Sequence, residues 1–210
     1  MQRTRRTPLN QTSSRQAGDD AEPTPEPADH ESAGSPSSPD PATPPPKRSW
    51  KWTVIFAVVG LVILGLDQLT KALALQHLTP GEPVNVIGSL LKFNLIRNSG
   101  AAFSLGAGYT PYISVIQITV AAGVVYLSRR LGSVGWAIAF GLLFGGAVGN
   151  IMDRVFREPS PFHGHVIDFL QTPHWAIFNV ADMAVTSAAI LLVIQTLRGV
   201  KLDGTREHRK

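Results

Sequence analysis

The chain has 210 residues, 44% of them hydrophobic, no cysteine, and 19 Lys and Arg against 15 Asp and Glu for a formal net charge of +4. The missing cysteines exclude disulfides, thiolate nucleophiles and cysteine-ligated zinc. The cations lie mostly beside apolar runs, where they act as topology markers, so no nucleic-acid partner is expected.

Residues 1–49 hold most of the prolines, many Ser, Asp, Glu and Arg, and almost no large apolar side chains. Such a segment cannot bury enough surface to offset its ordering entropy, which predicts a disordered cytoplasmic tail. No apolar stretch follows Arg3, Arg5 and Arg6 before Trp50, so the tail does not read as a signal peptide.

From Trp50 onward the chain is strongly apolar. A first run, from Trp52 to about Leu69 and carried to Lys71 as a span over 52–71, can cross a hydrocarbon core of roughly 30 Å at about 1.5 Å per residue. Lys47, Arg48 and Lys51 precede it, and Trp50 and Trp52 suit an interfacial aromatic belt. Asp67 and Lys71 stand four apart on one helical face, either as an ion pair or as part of a site. Residues 76–110 are too polar and broken to span. Pro80 and Gly81 mark a turn, and the alternation over 84–97 predicts short strands. Asn98 follows, able to donate and accept at once, with room for a second backbone at Gly100, Ala101 and Ala102.

Further spans are expected at 111–127, 134–154 and 177–197. The short basic loop with Arg129 and Arg130 makes the second and third an antiparallel pair, and Gly141, Gly145, Gly146 and Gly149 allow close helix contact. Arg198, Lys201, Arg206, Arg209 and Lys210 follow the fourth run, giving a basic cytoplasmic tail over 201–210. The positive-inside rule then puts both termini in the cytoplasm and residues 76–110 and 156–176 outside. This topology carries Asp67, Asn98, Arg154, Asp168 and Asp182 to the outer ends of their segments.

Carboxylates at membrane depth are costly unless paired or hydrated, and so mark candidate sites. Asp168 lies in an apolar patch, and Asp182 enters the fourth run beside Asn179. If folding joins them, repulsion and desolvation leave one proton shared, an arrangement suited to activating water while polarising a carbonyl. Three other readings stay open on spacing alone. Asp182 could simply cap the fourth helix. Asp153 is a third acid, set aside because Arg154 adjoins it and because Asn150 and Asp153, three apart, resemble a helix-end hydrogen-bonding cluster. His163, His165 and His174 could hold zinc, although no HExxH helix accompanies them. A proton-coupled transporter or a non-catalytic membrane scaffold would also explain buried acids.

Five motifs in order, DQLTK (67–71), RNSGAAFS (97–104), GGAVGNIMDR (145–154), GHVIDF (164–169) and FNVAD (178–182), resemble the lipoprotein signal peptidases (signal peptidase II), bacterial membrane aspartic peptidases. The resemblance covers roughly 52–197. It implies an α-helical integral membrane protein of four transmembrane helices with a small extracytoplasmic β-rich cradle, the peptidase domain occupying 50–200. It implies that Asp168 and Asp182 are the catalytic pair, that Asn98, Asn150, Arg154 and Asn179 orient substrate or support the pair, and that Asp67 and Lys71 hold the site together. The implied reaction is cleavage before the lipid-modified cysteine of a prolipoprotein, at the extracytoplasmic surface of the bacterial cell membrane. It would need no metal or organic cofactor, and the enzyme would act as a monomer among membrane lipids. The loop REPSPFHG (157–164) looks longer than the tightest family versions.

Overall fold

In an apolar solvent a chain can afford outward Leu and Val, but every backbone polar group must find a partner inside the structure. Helices meet that demand, and the computed structural model, which describes residues 50–100 and 110–206, contains four long and apolar enough to cross a membrane. They are α1 (Trp50–His77), α2 (Thr110–Ser128), α3 (Val134–Phe156) and α4 (Val180–Leu197). Three strands, β1 (Val84–Ile87), β2 (Leu91–Asn98) and β3 (Val166–Gln171), form an antiparallel sheet in the order β1-β2-β3. The expected disorder of 1–49, the space at Ala101 and Ala102, and the last cations, Arg209 and Lys210, fall outside the described residues.

The helices present Val58, Leu61, Leu66 and Leu69 of α1 and Val115, Ile116 and Val120 of α2 outward. Their buried faces carry small or polar residues instead, among them Gly60, Asp67 and Lys71 on α1 and Ala181, Ala184 and Ala188 on α4. Helix α3 packs against all three other helices, and its glycines set how near they come. A Cβ at Gly145 would lie 2.6 Å from the Gly60 carbonyl oxygen of α1, and one at Gly146 would lie 2.5 Å from that of Ala181 on α4. Backbone therefore touches backbone on both sides of α3, as small-residue helix interfaces allow in lipid.

Two apolar clusters bracket the bundle. Phe56, Val124, Leu131, Ala137 and Phe140 pack at one end. At the other, Ala74, Leu95, Ile167 and Phe169 join α1 to the sheet. Beyond α4, residues 200–206 turn back on the α2–α3 connection: Gly132 donates its N–H to Leu202, and the Trp136 indole donates to the Val200 carbonyl at 2.9 Å.

Three local features depart from expectation. Helix α1 runs on to His77, because Ala74 continues its buried face onto Leu95, Ile167 and Phe169. Asp67 and Lys71 are consequently inside α1 and not at its end. Helix α4 starts at Val180, not 177, because Phe178 is extended and exchanges backbone hydrogen bonds with Leu170. Asp168 belongs to β3, not to the end of an apolar helix. Residues 166–169 are buried on both strand faces, so the period-two alternation that announces a strand is missing.

The glycine contacts carry a measurable consequence. Gly146→Val would push its side chain into Ala181 and Val185 of α4, and overpacking of this kind costs about 1–3 kcal/mol. A lowered thermal midpoint in detergent micelles is the expected outcome. An unchanged midpoint would mean that α3 and α4 do not approach this closely.

Candidate active site

The site begins with register. In the β2–β3 ladder Ile96 faces Asp168 and Asn98 faces Val166. This brings the Asn98 amide beside the Asp168 carboxyl, where its Nδ2 donates to Oδ2 at 2.9 Å. The other carboxyl oxygen, Oδ1, accepts from Asn179 Nδ2 at 2.6 Å. Asp168 is thus held on both oxygens by neutral donors and is only 2% exposed.

Asn179 also governs the second acid. It is the N-cap of α4: its side chain accepts from the Asp182 N–H at 3.0 Å, while Asp182 Oδ2 accepts from the Asn179 N–H at 3.2 Å. This reciprocal capping box satisfies two helix-end donors and fixes the Asp182 rotamer. Asp182 therefore takes part in the cap of α4 from the first turn, but the capping residue is Asn179, and that part does not compete with a place in the site. The remaining carboxyl oxygen, Oδ1, accepts from Asn150 Nδ2 at 2.9 Å. Asn150 in turn accepts from Asn179 Nδ2 at 3.2 Å. A run of amides, Asn179 to Asn150, thus links Asp168 to Asp182.

Behind the amides lies a buried charge cluster. Lys71 Nζ reaches Asp67 Oδ2 at 2.8 Å, Asp153 Oδ2 at 2.7 Å and Asn150 Oδ1 at 3.0 Å, so each of its three donors has an acceptor. The Lys71, Asp67 and Asp153 side chains have no exposed surface. Asp67 Oδ1 also accepts the Ala181 N–H at 3.0 Å, tying α1 to the first turn of α4. Asp153 accepts from Arg157 Nε at 2.6 Å and from the Ile167 N–H at 3.3 Å, tying α3 to β3. Asp153 thus engages Lys71, Arg157 and β3, and it is clustered with Asn150, as its spacing suggested, through the shared Lys71 ammonium.

A cavity of about 300 Å³ opens in front of this network, with Asn98, Asn150, Arg154, Asp168 and Asp182 in its wall. Asn179, Asp67 and Lys71 stand outside that wall and hold it. All eight residues singled out in the sequence converge here, although they come from α1, β2, α3, β3 and α4. Arg154 donates from Nη2 to the Gly100 carbonyl at 2.7 Å, and its buried Nε and Nη1 have no hydrogen-bond partner among the described residues. Sequence reasoning missed Gln117, which lines the cavity from α2. A lone amide within an otherwise apolar span was the available signal. The zinc alternative has no geometry behind it. Among the described residues no three His, Asp or Glu side chains are grouped as metal ligands would be.

Burial raises the proton affinity of Asp168, and the charge of Asp182 raises it further. The amide donors of Asn98 and Asn179 and the more distant Lys71 oppose the shift, and the pKa comes to about 7. One acid that keeps its proton near neutrality faces the same cavity as a second acid.

Residues 59–198 match the family model for signal peptidase (SPase) II, peptidase family A8. The chain belongs to the signal peptidase II family. Among curated signal peptidase II relatives, the lipoprotein signal peptidase of Mycobacterium tuberculosis H37Rv is 45% identical over 171 residues, 81% of each chain. That of Leifsonia xyli subsp. xyli is 48% identical over 156 residues, covering 74% of this chain and 72% of the relative. A bacterial membrane enzyme structure solved by the in meso method at 2.3 Å resolution superposes with a TM-score of 0.63 at 28% identity, covering 74% of this chain and 94% of the other. A second, at 1.9 Å, gives a TM-score of 0.60 at 30% identity, with 68% and 92% covered. The chain is a membrane-embedded peptidase, as its five motifs led one to expect.

The charge cluster makes its own prediction. Lys71→Met strands Asp67 and Asp153 in the interior, and removing one partner of a buried ion pair costs about 3–5 kcal/mol. Thermal unfolding should show a large loss, part of it recovered in Lys71→Met/Asp67→Asn. A Lys71→Met protein as stable as the parent would remove the cluster from the folding of the site.

Proposed function

We propose that Asp168 and Asp182 hydrolyse the peptide bond before the lipid-modified cysteine of bacterial prolipoproteins and so release the signal peptide. The observation that carries this reading is that both acids wall one cavity, joined through Asn179 and Asn150, with Asp168 holding its proton to about pH 7.

The chemistry follows from that division. Asp182, as carboxylate, takes a proton from a water in the cavity while the carboxylic acid of Asp168 gives its proton to the scissile carbonyl oxygen. Water oxygen bonds to the carbonyl carbon, and the uncommitted Nε and Nη1 of Arg154 offer donors for a substrate carbonyl. On collapse the C–N bond breaks, Asp182 returns its proton to the leaving amine, and Asp168 recovers a proton from the hydrated carbonyl. The products are a carboxylic acid and an amine, and the pair ends as it began.

Membrane placement suits this substrate. The diacylglyceryl group stays in lipid, so the scissile bond lies near a leaflet surface, where water can reach a cavity whose acids remain shielded. The distribution of Lys and Arg supports cytoplasmic termini and a site at the extracytoplasmic surface. The polar cluster is complete within one chain, which supports action as a monomer. Residues 50–200 would then be the peptidase unit, with 1–49 and 201–210 as flanking tails.

A cleavage assay with purified protein and a diacylglyceryl-modified precursor, run beside the unmodified one, tests the assignment. Rapid processing of the modified precursor alone is expected, falling at least ~10³-fold in Asp168→Asn and in Asp182→Asn. Retained cleavage by either variant would remove that acid from the mechanism.

The pH dependence has a defined sign. Because the Asp168 pKa is raised in the fold, the acid is neutral below about pH 7 and is lost as a proton donor above it. The rate should therefore fall on the alkaline side, approaching tenfold per pH unit once the limb is established. The same ionisation destabilises the fold, since stability present below the unfolded value near 3.8 is lost as pH rises through about 7. Asp168→Asn should show a flatter thermal midpoint between pH 5 and 8 than the parent. An activity profile flat to pH 9 would exclude Asp168 as the proton donor.

A further inference from the structure

The Ser, Thr and Gln side chains of α2 divide into two kinds. Ser114 donates to the Thr110 carbonyl at 2.9 Å, Thr119 to Val115 at 2.8 Å, Ser128 to Val125 at 2.8 Å, and Thr110 donates to the Ser99 carbonyl. Each of these hydroxyls is satisfied by backbone. Gln117 is different. Its Oε1 is buried and has no hydrogen-bond partner among the described residues, and the residue lines the cavity that holds Asp168 and Asp182.

An unfilled acceptor buried in an apolar helix is costly, and an apolar residue would occupy the same helical position without that penalty. The cost is recovered if a donor arrives with the substrate. Around the same cavity the unfilled groups are complementary in kind: one acceptor on α2, and the Nε and Nη1 donors of Arg154 on α3. An extended peptide offers both counterparts, N–H groups for the acceptor and C=O groups for the donors. A diacylglyceryl ester offers only acceptors and could not satisfy the Gln117 Oε1.

We infer that Gln117 is a substrate-positioning residue, its Oε1 accepting a hydrogen bond from a main-chain N–H of the peptide lying across the cavity. The inference rests on the prolipoprotein-cleaving reading of the site and adds what that reading lacks, a contact to the peptide main chain from α2. A main-chain contact holds the extended strand without selecting its side chains, which suits an enzyme acting on many precursors. Helix α2 contributes Ile113 and Gln117 to the cavity wall, so this amide is its one polar side chain there among the described residues.

The test uses the full-length protein in detergent micelles with synthetic diacylglyceryl-modified precursor peptides. One series carries a single N-methyl group at successive residues around the scissile bond, each removing one N–H. The parent enzyme should lose about tenfold in kcat/KM, mainly through KM, at one N-methyl position. Gln117→Met, similar in shape but without the acceptor, should lose a similar factor on the unmethylated peptide and show no additional loss at that position. Gln117→Asn should recover part of the binding. Gln117→Met should also be at least as thermally stable as the parent, since it removes an unsatisfied buried oxygen, whereas a purely structural amide would leave the variant less stable.

Equal N-methyl penalties in parent and Gln117→Met would overturn the contact, as would an unaltered KM in Gln117→Met. Either result, with Asp168→Asn still inactive, defeats this inference alone. Failure of the parent to cleave any modified precursor defeats the prolipoprotein reading as well.

Discussion

A single ammonium group in an apolar interior governs the architecture of this protein. Lys71 Nζ is held by Asp67, Asp153 and Asn150, all within 3.0 Å. A charge so far from solvent survives only when its partners are fixed, and each partner fastens something else. Asp67 accepts from the first turn of α4, Asp153 accepts from β3, and Asn150 passes the order on to Asp182. Three helices and the strand carrying Asp168 are thereby referred to one point. Hydrophobic contact does little to orient helices in lipid, because lipid tails are as apolar as leucine. Polar geometry and close glycine contacts take over that task.

The same economy shapes the two acids in front. Asp168 receives amide donors on both oxygens but, among the described residues, no direct ion pair, so its burial is only partly offset and its proton stays on near neutrality. Asp67 and Asp153 each share Lys71 directly. The three buried acids and the half-buried Asp182 thus separate into a pair stabilised by a cation and a pair placed among amides beside a cavity. What divides them is the position of one lysine and three asparagines, not the carboxylates themselves. Asn179 is the pivot, since it caps α4, holds Asp168 and touches Asn150 within one side chain.

Much of this was legible in the residues. Four apolar runs of spanning length read directly as helices, since twenty or so apolar residues have no other stable fate in this composition. The turn at Pro80–Gly81 and the alternation after it announced β1 and β2. The eight residues of the site stood out because polar groups in apolar surroundings are expensive, and their order along the chain resembled signal peptidase II. Asp153 was undervalued because a neighbouring arginine suggested a local partner, while its real partners lie on α1 and one turn further along. Gln117 escaped notice because a single amide in a span carries no periodic signal.

Sequence alone determined the class of the protein, since hydrophobic length and charge placement are one-dimensional quantities that need no fold to be read. It also determined which residue types had to be explained, because a buried acid is costly wherever it ends up. Only the tertiary structure decided which partners each acid meets. Whether Asp168 meets a lysine or two amides depends on the β2–β3 register and on Asn179 standing at the N-cap of α4, and both are set by contacts between segments distant in the chain. The strand containing Asp168 was hidden for the same reason: buried on both faces, it loses the alternation by which a half-exposed strand declares itself.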